Sequence, residues 1–230
     1  MHIPTSVTIL AMVVQNFLHK TKMSAIGAID NPGRKIDHTM ENPIDNLFIY
    51  AAEFLNDKVF YPLHFTPNIL TTISLIFGIA GAYAVYRQWF LVFAICYGIA
   101  YLFDCADGNF ARRYNMVTKF GDWYDHIADI TKFILTLLAI MMLPASVMTL
   151  PYKIAFLVIL FILGIFMMIH IGCQEQNYPV DEWSTLTHTK KYCPKKEYIY
   201  YSRYGGIGTV TAYYMIFGII MFYITTAKST

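Results

Sequence analysis

The chain has 230 residues, of which 57% are hydrophobic and only 14% are charged, against roughly 25% charged residues in an average soluble domain. This composition argues against an ordinary cytosolic globular protein and favours an integral membrane protein. The formal net charge of +2 gives no excess of basic residues for a nucleic-acid binder and no acidic, aromatic-poor bias for disorder.

The first 40 residues combine a moderately apolar stretch, residues 3–18, with a segment that contains Gly, Pro and Asp. Lys20 and Lys22 follow the apolar stretch instead of preceding it, and no small-residue cleavage site stands out, so a removed signal peptide is not expected. Residues 1–40 are therefore predicted to be a flexible N-terminal region that holds at most a short anchoring helix.

Residues 41–64 have apolar side chains at three- and four-residue spacing, with acidic and amide side chains on the other faces. The apolar positions are Ile44, Leu47, Phe48, Ala51, Leu55 and Val59. This pattern predicts an amphipathic helix that lies in the membrane interface. The alternative is a soluble helix packed on a partner.

Five stretches predict membrane spans, at residues 69–86, 88–103, 121–144, 154–174 and 204–227. Four of them are free of charged residues, and the third joins the charge-free segment that begins at residue 133 to a helix-compatible stretch that begins near Gly121. A short sixth span within residues 192–204 is left open. The predicted fold is an all-α integral membrane protein, a polytopic bundle of five to six transmembrane helices over residues 65–227.

The Lys and Arg residues divide unevenly between the two sides of the five-span arrangement. Thirteen of the 17 fall on the side that holds the N-terminal region, the loop between spans two and three, and the loop between spans four and five. By the positive-inside rule this side is predicted to be cytoplasmic.

The four cysteines, Cys96, Cys105, Cys173 and Cys193, show neither a CxxC spacing nor a Cys/His zinc spacing. Neither a disulfide framework nor a zinc site is expected from them.

Five of the 15 acidic residues lie within 26 positions that run from the end of the second predicted span into the third: Asp104, Asp107, Asp122, Asp125 and Asp129. On helices, i+3 and i+4 spacing directs such side chains to one point. Because like charges this close cannot all stay ionised without a cation, a hard divalent metal such as Mg²⁺, Mn²⁺ or Ca²⁺ is indicated. Lys132, in the third span, is expected to snorkel or to pair with an aspartate one turn back.

Gly108 and Gly121 mark places where backbone or ligand can approach closely, and the guanidinium of Arg112 can grip a phosphate through two hydrogen bonds. A divalent metal ion and the Arg112 guanidinium together would bind the negative charges of a diphosphate. The residues therefore indicate chemistry on a diphosphate at the membrane surface.

These residues form a longer pattern: Asp104-x2-Asp107-Gly108-x2-Ala111-Arg112-x8-Gly121-x3-Asp125-x3-Asp129. The pattern resembles, at every fixed position, the signature of the CDP-alcohol phosphotransferase (CDP-alcohol phosphatidyltransferase) family. Upstream, Pro67-Asn68-x2-Thr71 is similar to the family's Pro-Asn-x2-Thr element.

The resemblance implies an enzyme that transfers the phospho-alcohol or phosphatidyl group of a CDP-alcohol to an acceptor hydroxyl and releases CMP. It implies two divalent ions, Mg²⁺ or Mn²⁺, on Asp104, Asp107, Asp125 and Asp129, with Asp129 also acting as the general base. It further implies a CDP pocket shaped by Asn68, Thr71, Gly108, Ala111, Arg112 and Gly121. The implied partners are the CDP-alcohol donor, the acceptor alcohol or diacylglycerol, and membrane lipids, and a homodimer is left open.

The acceptor is less well defined. The pair Asp125-His126 resembles the branch that uses CDP-choline or CDP-ethanolamine with diacylglycerol, where His126 would be catalytic; otherwise His126 only hydrogen-bonds backbone or Asp122. The short chain is closer to enzymes that join CDP-diacylglycerol to a soluble alcohol such as inositol, and this interpretation is ranked ahead. A non-catalytic ion-binding or transport protein is the alternative of another class. The expected location is the endoplasmic reticulum or a bacterial-type inner membrane, with the active site on the cytoplasmic side.

Overall fold

A computed structural model of the chain describes residues 33–178 and 184–228. Within these ranges the chain folds into helices joined by short connections, and no strand is present. The predicted anchoring helix near the N-terminus lies outside the described residues.

Six helices make up the bundle: α1 Pro43–Leu55, α2 Pro67–Tyr86, α3 Phe90–Arg113, α4 Lys119–Met141, α5 Leu150–Asn177 and α6 Ile207–Ala227. A π-helical turn, Asn56–Phe60, continues α1. Short helical turns connect α5 to α6: Thr185–Tyr192, Lys196–Tyr198, Ile199–Ser202 and Arg203–Gly205.

Four segments of the described chain are long and apolar enough to cross a membrane: Pro67–Tyr86, Phe90–Arg113, Leu150–Asn177 and Lys196–Ala227. The predicted all-α polytopic fold is confirmed. The helix α4, which contains the predicted third span, is 23 residues long but is not among these four, because it carries Lys119, Asp122, Asp125, Asp129 and Lys132. Residues 192–204 form short helical turns, and most of them belong to the single candidate span Lys196–Ala227.

Polar caps and prolines fix where the site-bearing helices begin. Proline is the first residue of α2, where its missing N–H costs nothing, and the preceding Thr66 accepts a hydrogen bond from the N–H of Ile69. The hydroxyl oxygen of Thr118 accepts from the N–H of Gly121 at 3.0 Å and so caps α4. Both caps lie at the end of the bundle that carries the aspartates.

The long helix α3 lies at the centre of the bundle. Its first turns bury Phe90 and Phe93 in an apolar cluster that also contains Ile140 of α4 and Tyr214 of α6. Its last turns pack against the region of α1 and against the first turn of α2. Both ends of α3 are thus fixed by neighbours, which leaves little freedom for the aspartates near its C-terminus.

The helix α1 places its polar face against the rest of the protein. Asp45, Glu53 and the following Asn56 are buried, whereas Leu47 and Phe54 are more than half exposed. The amide of Asn56 donates to the carbonyl oxygen of Ala106 in α3 at 3.0 Å. The buried polar side chains of α1 thus have partners within the protein. The exposed apolar side chains, Leu47 and Phe54, are free to contact lipid, and this contact stays a prediction.

The segment before α1, residues 33–42, is called the N-terminal strap below. Its Arg34 contacts three successive turns of α1: the guanidinium donates to Glu53 at 2.9 Å and to Asn46 at 2.7 Å, and lies 4.5 Å from the ring centre of Tyr50. Ile36 is buried beside α5. The strap is therefore held at both α1 and α5.

The expectation that the cysteines form no disulfide is wrong for one pair. Cys173, near the end of α5, is bonded to Cys193, which follows the turn Thr185–Tyr192, and their Cα atoms are 4.9 Å apart. The chain between them folds back along α5, with Gly172 in close contact with the backbone of Thr189. Spacing along the sequence cannot reveal this return. Cys96 and Cys105 are free.

The buried Asp45 gives a pH-dependent prediction. Burial, with the nearby Glu41, raises the pKa of Asp45 to about 7. The folded chain then keeps a proton that the unfolded chain releases near its ordinary pKa of about 4, so stability falls as pH rises from about 4 to 7. Asp45→Asn keeps an acceptor for the Tyr101 hydroxyl, now 2.6 Å from Oδ1. We expect the variant to melt well above the wild type at pH 8 in detergent, by a smaller margin at pH 5, and nearly level with it at pH 4; a gap independent of pH would contradict the raised pKa.

Candidate functional site

The site lies where the first turn of α2, the end of α3 and the start of α4 meet. The spacing of the aspartates is preserved on continuous helices: Asp104 and Asp107 lie on α3, and Asp125 and Asp129 lie on α4. The helix α2 packs against both α3 and α4. The predicted convergence of the carboxylates is therefore observed.

A pocket opens at this end of the bundle. It is lined by all six of the predicted substrate-binding residues, Asn68, Thr71, Gly108, Ala111, Arg112 and Gly121. Of the predicted metal ligands, Asp107 and Asp125 line the same pocket. Residues that are far apart in sequence thus share one cavity with acidic groups, two of them predicted metal ligands.

The two glycines of the pattern lie close to polar side chains of the pocket. A Cβ at Gly108 would lie 3.3 Å from a guanidinium nitrogen of Arg112, and a Cβ at Gly121 would lie 3.2 Å from Oδ1 of Asn68. Both contacts are tight. Glycine at these positions lets the Arg112 and Asn68 side chains lie against the helix backbone.

The N-terminal strap forms part of the pocket wall. The backbone carbonyl of Gly33 accepts a hydrogen bond from Nε of Arg112 at 3.0 Å. Lys35 lines the pocket together with Tyr178 and Ser184, and it forms an ion pair with the buried Glu175 of α5. Sequence reasoning missed Lys35, Tyr178 and Ser184, because no spacing connects these positions to the aspartate pattern.

Asp104 and Asp129 are not among the residues that line this pocket. Each has one carboxylate oxygen 2.7 Å from the ammonium nitrogen of Lys132. Of the two alternatives for Lys132, pairing with an aspartate one turn back is the one observed. The four aspartates therefore divide into a pair beside the pocket and a pair around one lysine.

His126 lies among the carboxylates of α4. Its two ring nitrogens are 3.8 Å from Oδ1 of Asp122 and 3.9 Å from Oδ2 of Asp125. One ligand atom from each of Asp125, His126 and Asp129 can be chosen so that all lie within 4.8 Å of one another. These distances are too long for hydrogen bonds and allow a cation between the groups.

The donor set can be tested against the divalent ion that the pattern implies. Oδ1 of Asp125 and Nε2 of His126 are buried and have no hydrogen-bond partner among the described residues. A buried carboxylate oxygen without a partner is costly unless a ligand completes it. Carboxylate oxygens with at most one imidazole fit Mg²⁺ or Mn²⁺.

Asp122 and Arg113 connect the site to its surroundings. Oδ2 of Asp122 accepts a hydrogen bond from the N–H of Thr185 at 3.0 Å, which docks the segment after α5 onto the start of α4. Arg113 forms an ion pair with Asp57 at 2.7 Å, so its guanidinium is directed towards the turn after α1. Asp122 also lines the pocket.

Comparison with known protein families agrees with this geometry. The sequence profile of the CDP-alcohol phosphatidyltransferase family matches residues 64–228. The chain belongs to this family. The resemblance seen in the sequence is thereby confirmed, and no curated protein or solved structure matches the chain.

The CDP-alcohol phosphatidyltransferase family transfers phosphatidyl groups from a CDP-alcohol donor to an alcohol acceptor at a membrane. The match begins after α1, so the N-terminal strap and α1 lie outside the part of the chain that defines the family. Lys35 is therefore a pocket residue that the family pattern does not include.

The hydrogen bond from Thr71 to Asp107 yields a test of the pocket floor. Asp107 is buried, and the Thr71 hydroxyl donates to its Oδ2 at 2.6 Å. Thr71→Val removes this donor, which should lower the free energy of unfolding by about 1–3 kcal/mol. The measurement is thermal unfolding in detergent with EDTA, so that bound ions do not contribute.

The neighbouring Thr72 provides the matched control. Its hydroxyl is exposed, donates to the carbonyl of Asn68 in its own helix at 2.7 Å, and lies 2.9 Å from the hydroxyl of Tyr124. Thr72→Val should change the free energy of unfolding by less than about 0.5 kcal/mol. If the two variants lose the same free energy of unfolding, the hydrogen bond from Thr71 to Asp107 does not stabilise the protein beyond an exposed hydroxyl contact.

Proposed function

We propose that this protein transfers the phosphatidyl group of CDP-diacylglycerol to a hydroxyl of a small soluble alcohol such as inositol, with release of CMP. The observation that carries the proposal is a single pocket. Its lining includes Asn68, Gly108 and Arg112 together with the carboxylates of Asp107 and Asp125. Family membership supports phosphatidyl transfer, and the lining supports a diphosphate ligand.

The donor would bind through its CDP half. Arg112, held at Nε by the strap carbonyl of Gly33, keeps its terminal nitrogens for phosphate oxygens. Asp104, Asp107, Asp125 and Asp129 would hold two Mg²⁺ or Mn²⁺ ions, which would neutralise the charge of the diphosphate. Asn68, Thr71, Ala111 and Gly121 would shape the remaining wall of the pocket.

Asp129 would act as the general base. Lys132 contacts its Oδ1, so Oδ2 is the oxygen we assign to the proton of the acceptor hydroxyl. The acceptor oxygen forms a bond to the phosphorus of the phosphatidyl group, and the bond from that phosphorus to the CMP oxygen breaks. Such a transfer needs positioning and charge neutralisation more than covalent catalysis.

The rim of the pocket favours a polar acceptor. Lys35, Asp122 and Ser184 line it, and each offers a hydrogen-bonding group to a soluble polyol. The second candidate is transfer from CDP-choline or CDP-ethanolamine to diacylglycerol, which is favoured by the position of His126 beside Asp125 and Asp129. If neither reaction is observed in the activity test, the remaining alternative is a non-catalytic ion-binding or transport protein.

The deciding measurement is CMP release by purified protein in detergent with Mg²⁺ or Mn²⁺. One arm supplies CDP-diacylglycerol with inositol, serine and glycerol phosphate, and the other supplies CDP-choline or CDP-ethanolamine with diacylglycerol. We expect CMP in the first arm, lowered at least about 100-fold by Asp129→Asn because the proton acceptor is lost.

Asp57→Asn is the matched control, since Asp57 pairs with Arg113 outside the pocket. It should keep CMP release within about threefold of the wild type, as expected of a partly exposed ion pair. CMP in the second arm alone would select the diacylglycerol branch. Absence of metal-dependent CMP in both arms, from folded wild-type protein, would overturn the proposal.

We also propose that the pocket faces the cytoplasm, as the distribution of Lys and Arg predicts. The disulfide partner Cys193 lies in the same connection as the pocket residue Ser184. Because the cytoplasm is reducing, Cys173 and Cys193 should be thiols in the cell and form their bond only after oxidation.

Alkylation with a maleimide polymer in denaturing detergent at the moment of lysis tests this sidedness, since Cys173 and Cys193 are buried in the folded chain. The wild type should gain two more labels than the Cys173→Ser/Cys193→Ser variant, and reductant should add none. Labels at these cysteines that appear only after reduction would place the pocket in an oxidising compartment and refute the assignment.

A further inference from the structure

Lys132 is a buried cation that the aspartate pattern of the family does not contain. It is 7% exposed, and its ammonium has three polar contacts from three helices. It donates to Asp104 of α3 at 2.7 Å and to the hydroxyl of Ser74 of α2 at 2.8 Å, and it lies 2.7 Å from Asp129 of its own helix. The ammonium thus has as many acceptors as protons to donate.

The surroundings of Lys132 are built to hold it in one place. Ser74 in turn donates to the carbonyl oxygen of Ala100 at 2.8 Å, which fixes the hydroxyl that Lys132 contacts. The lysine stem crosses α2 at Gly78, where a Cβ would overlap Cγ and lie 2.7 Å from Cδ of Lys132. Any larger residue at Gly78 would displace the stem.

We propose that Lys132 is a positioning residue that orients Asp104 and Asp129 and limits the affinity of the aspartates for divalent ions. The inference rests on the proposed function in one respect, namely that Asp129 serves as base. Three observations point the same way: the ammonium contacts only these two aspartates, they are the two that do not line the pocket, and Gly78 makes room for the stem.

The physical argument is electrostatic. A positive charge within hydrogen-bond distance of two ligands repels a divalent ion at the same ligands, so the site binds metal more weakly than four free carboxylates would. The same contact fixes Oδ1 of Asp129 and leaves Oδ2 in a defined direction. Weaker metal binding and faster turnover should therefore both depend on Lys132.

The test measures Mn²⁺ binding and turnover separately. Lys132→Met keeps the stem against Gly78 and removes the charge. We expect the variant to bind Mn²⁺ about tenfold more tightly, by electron paramagnetic resonance of free Mn²⁺ without substrate, because one repelling charge is gone. At saturating Mn²⁺ we expect its CMP release to fall about tenfold, because Asp129 loses its fixed direction.

Lys153→Met is the matched control. Lys153 of α5 is another partly buried lysine of the bundle, and it donates to the backbone carbonyls of Met141 and Leu143, not to a carboxylate. Its substitution should lower the melting temperature and leave Mn²⁺ affinity unchanged. A purely structural role for Lys132 would make Mn²⁺ affinity and turnover fall together with the melting temperature, which would overturn the proposal.

Gly78→Ala tests the same inference without changing any charge. The added methyl group displaces the Lys132 stem, so Mn²⁺ affinity should rise and CMP release should fall, as for Lys132→Met. If Gly78→Ala or Lys132→Met folds and leaves Mn²⁺ affinity unchanged, the inference is wrong. A wild type that binds Mn²⁺ but releases no CMP would instead refute the proposed function, while the affinity comparison would still decide the role of Lys132.

Discussion

A carboxylate among apolar helices is stable only when a donor or a cation accompanies it, and the arrangement of this bundle follows from that constraint. The Thr71 hydroxyl donates a hydrogen bond to Asp107, and the ammonium of Lys132 forms ion pairs with Asp104 and Asp129. Among the buried carboxylate oxygens of the described residues, Oδ1 of Asp125, which borders the pocket, has no hydrogen-bond partner. The group whose charge is least compensated by the chain itself therefore lies where a ligand can reach it.

The same constraint explains the inward polar face of α1. The acidic residues of α1 could face solvent or the protein, and here Asp45 accepts a hydrogen bond from Tyr101 while Glu53 pairs with Arg34. Arg34 thereby orients the strap, whose next residue, Lys35, borders the pocket. Fastening of the pocket wall is thus a by-product of satisfying a buried carboxylate.

Helical periodicity and the family resemblance predicted the parts of the site that depend on local sequence. The i+3 and i+4 spacing of the aspartates fixed which side chains of α3 and α4 converge, and the elements at Asn68 and Gly121 fixed which turns border them. Contacts between distant positions were beyond this reasoning: Lys35 with Glu175, and Cys173 with Cys193. Such pairs depend on how the chain returns after α5, and neither periodicity nor propensity encodes that path.

The hydrogen bond between the Gly33 carbonyl and Arg112 also bears on modularity. The residues that define the family, 64–228, are not a self-contained catalytic module here, because the wall beside Arg112 comes from a segment 31 positions before them. An excised or grafted version cut at the family boundary would carry every signature residue and still lack one side of its cavity. Insertions between the strap and α2 are constrained for the same reason, so this stretch should vary in length far less than an ordinary leader.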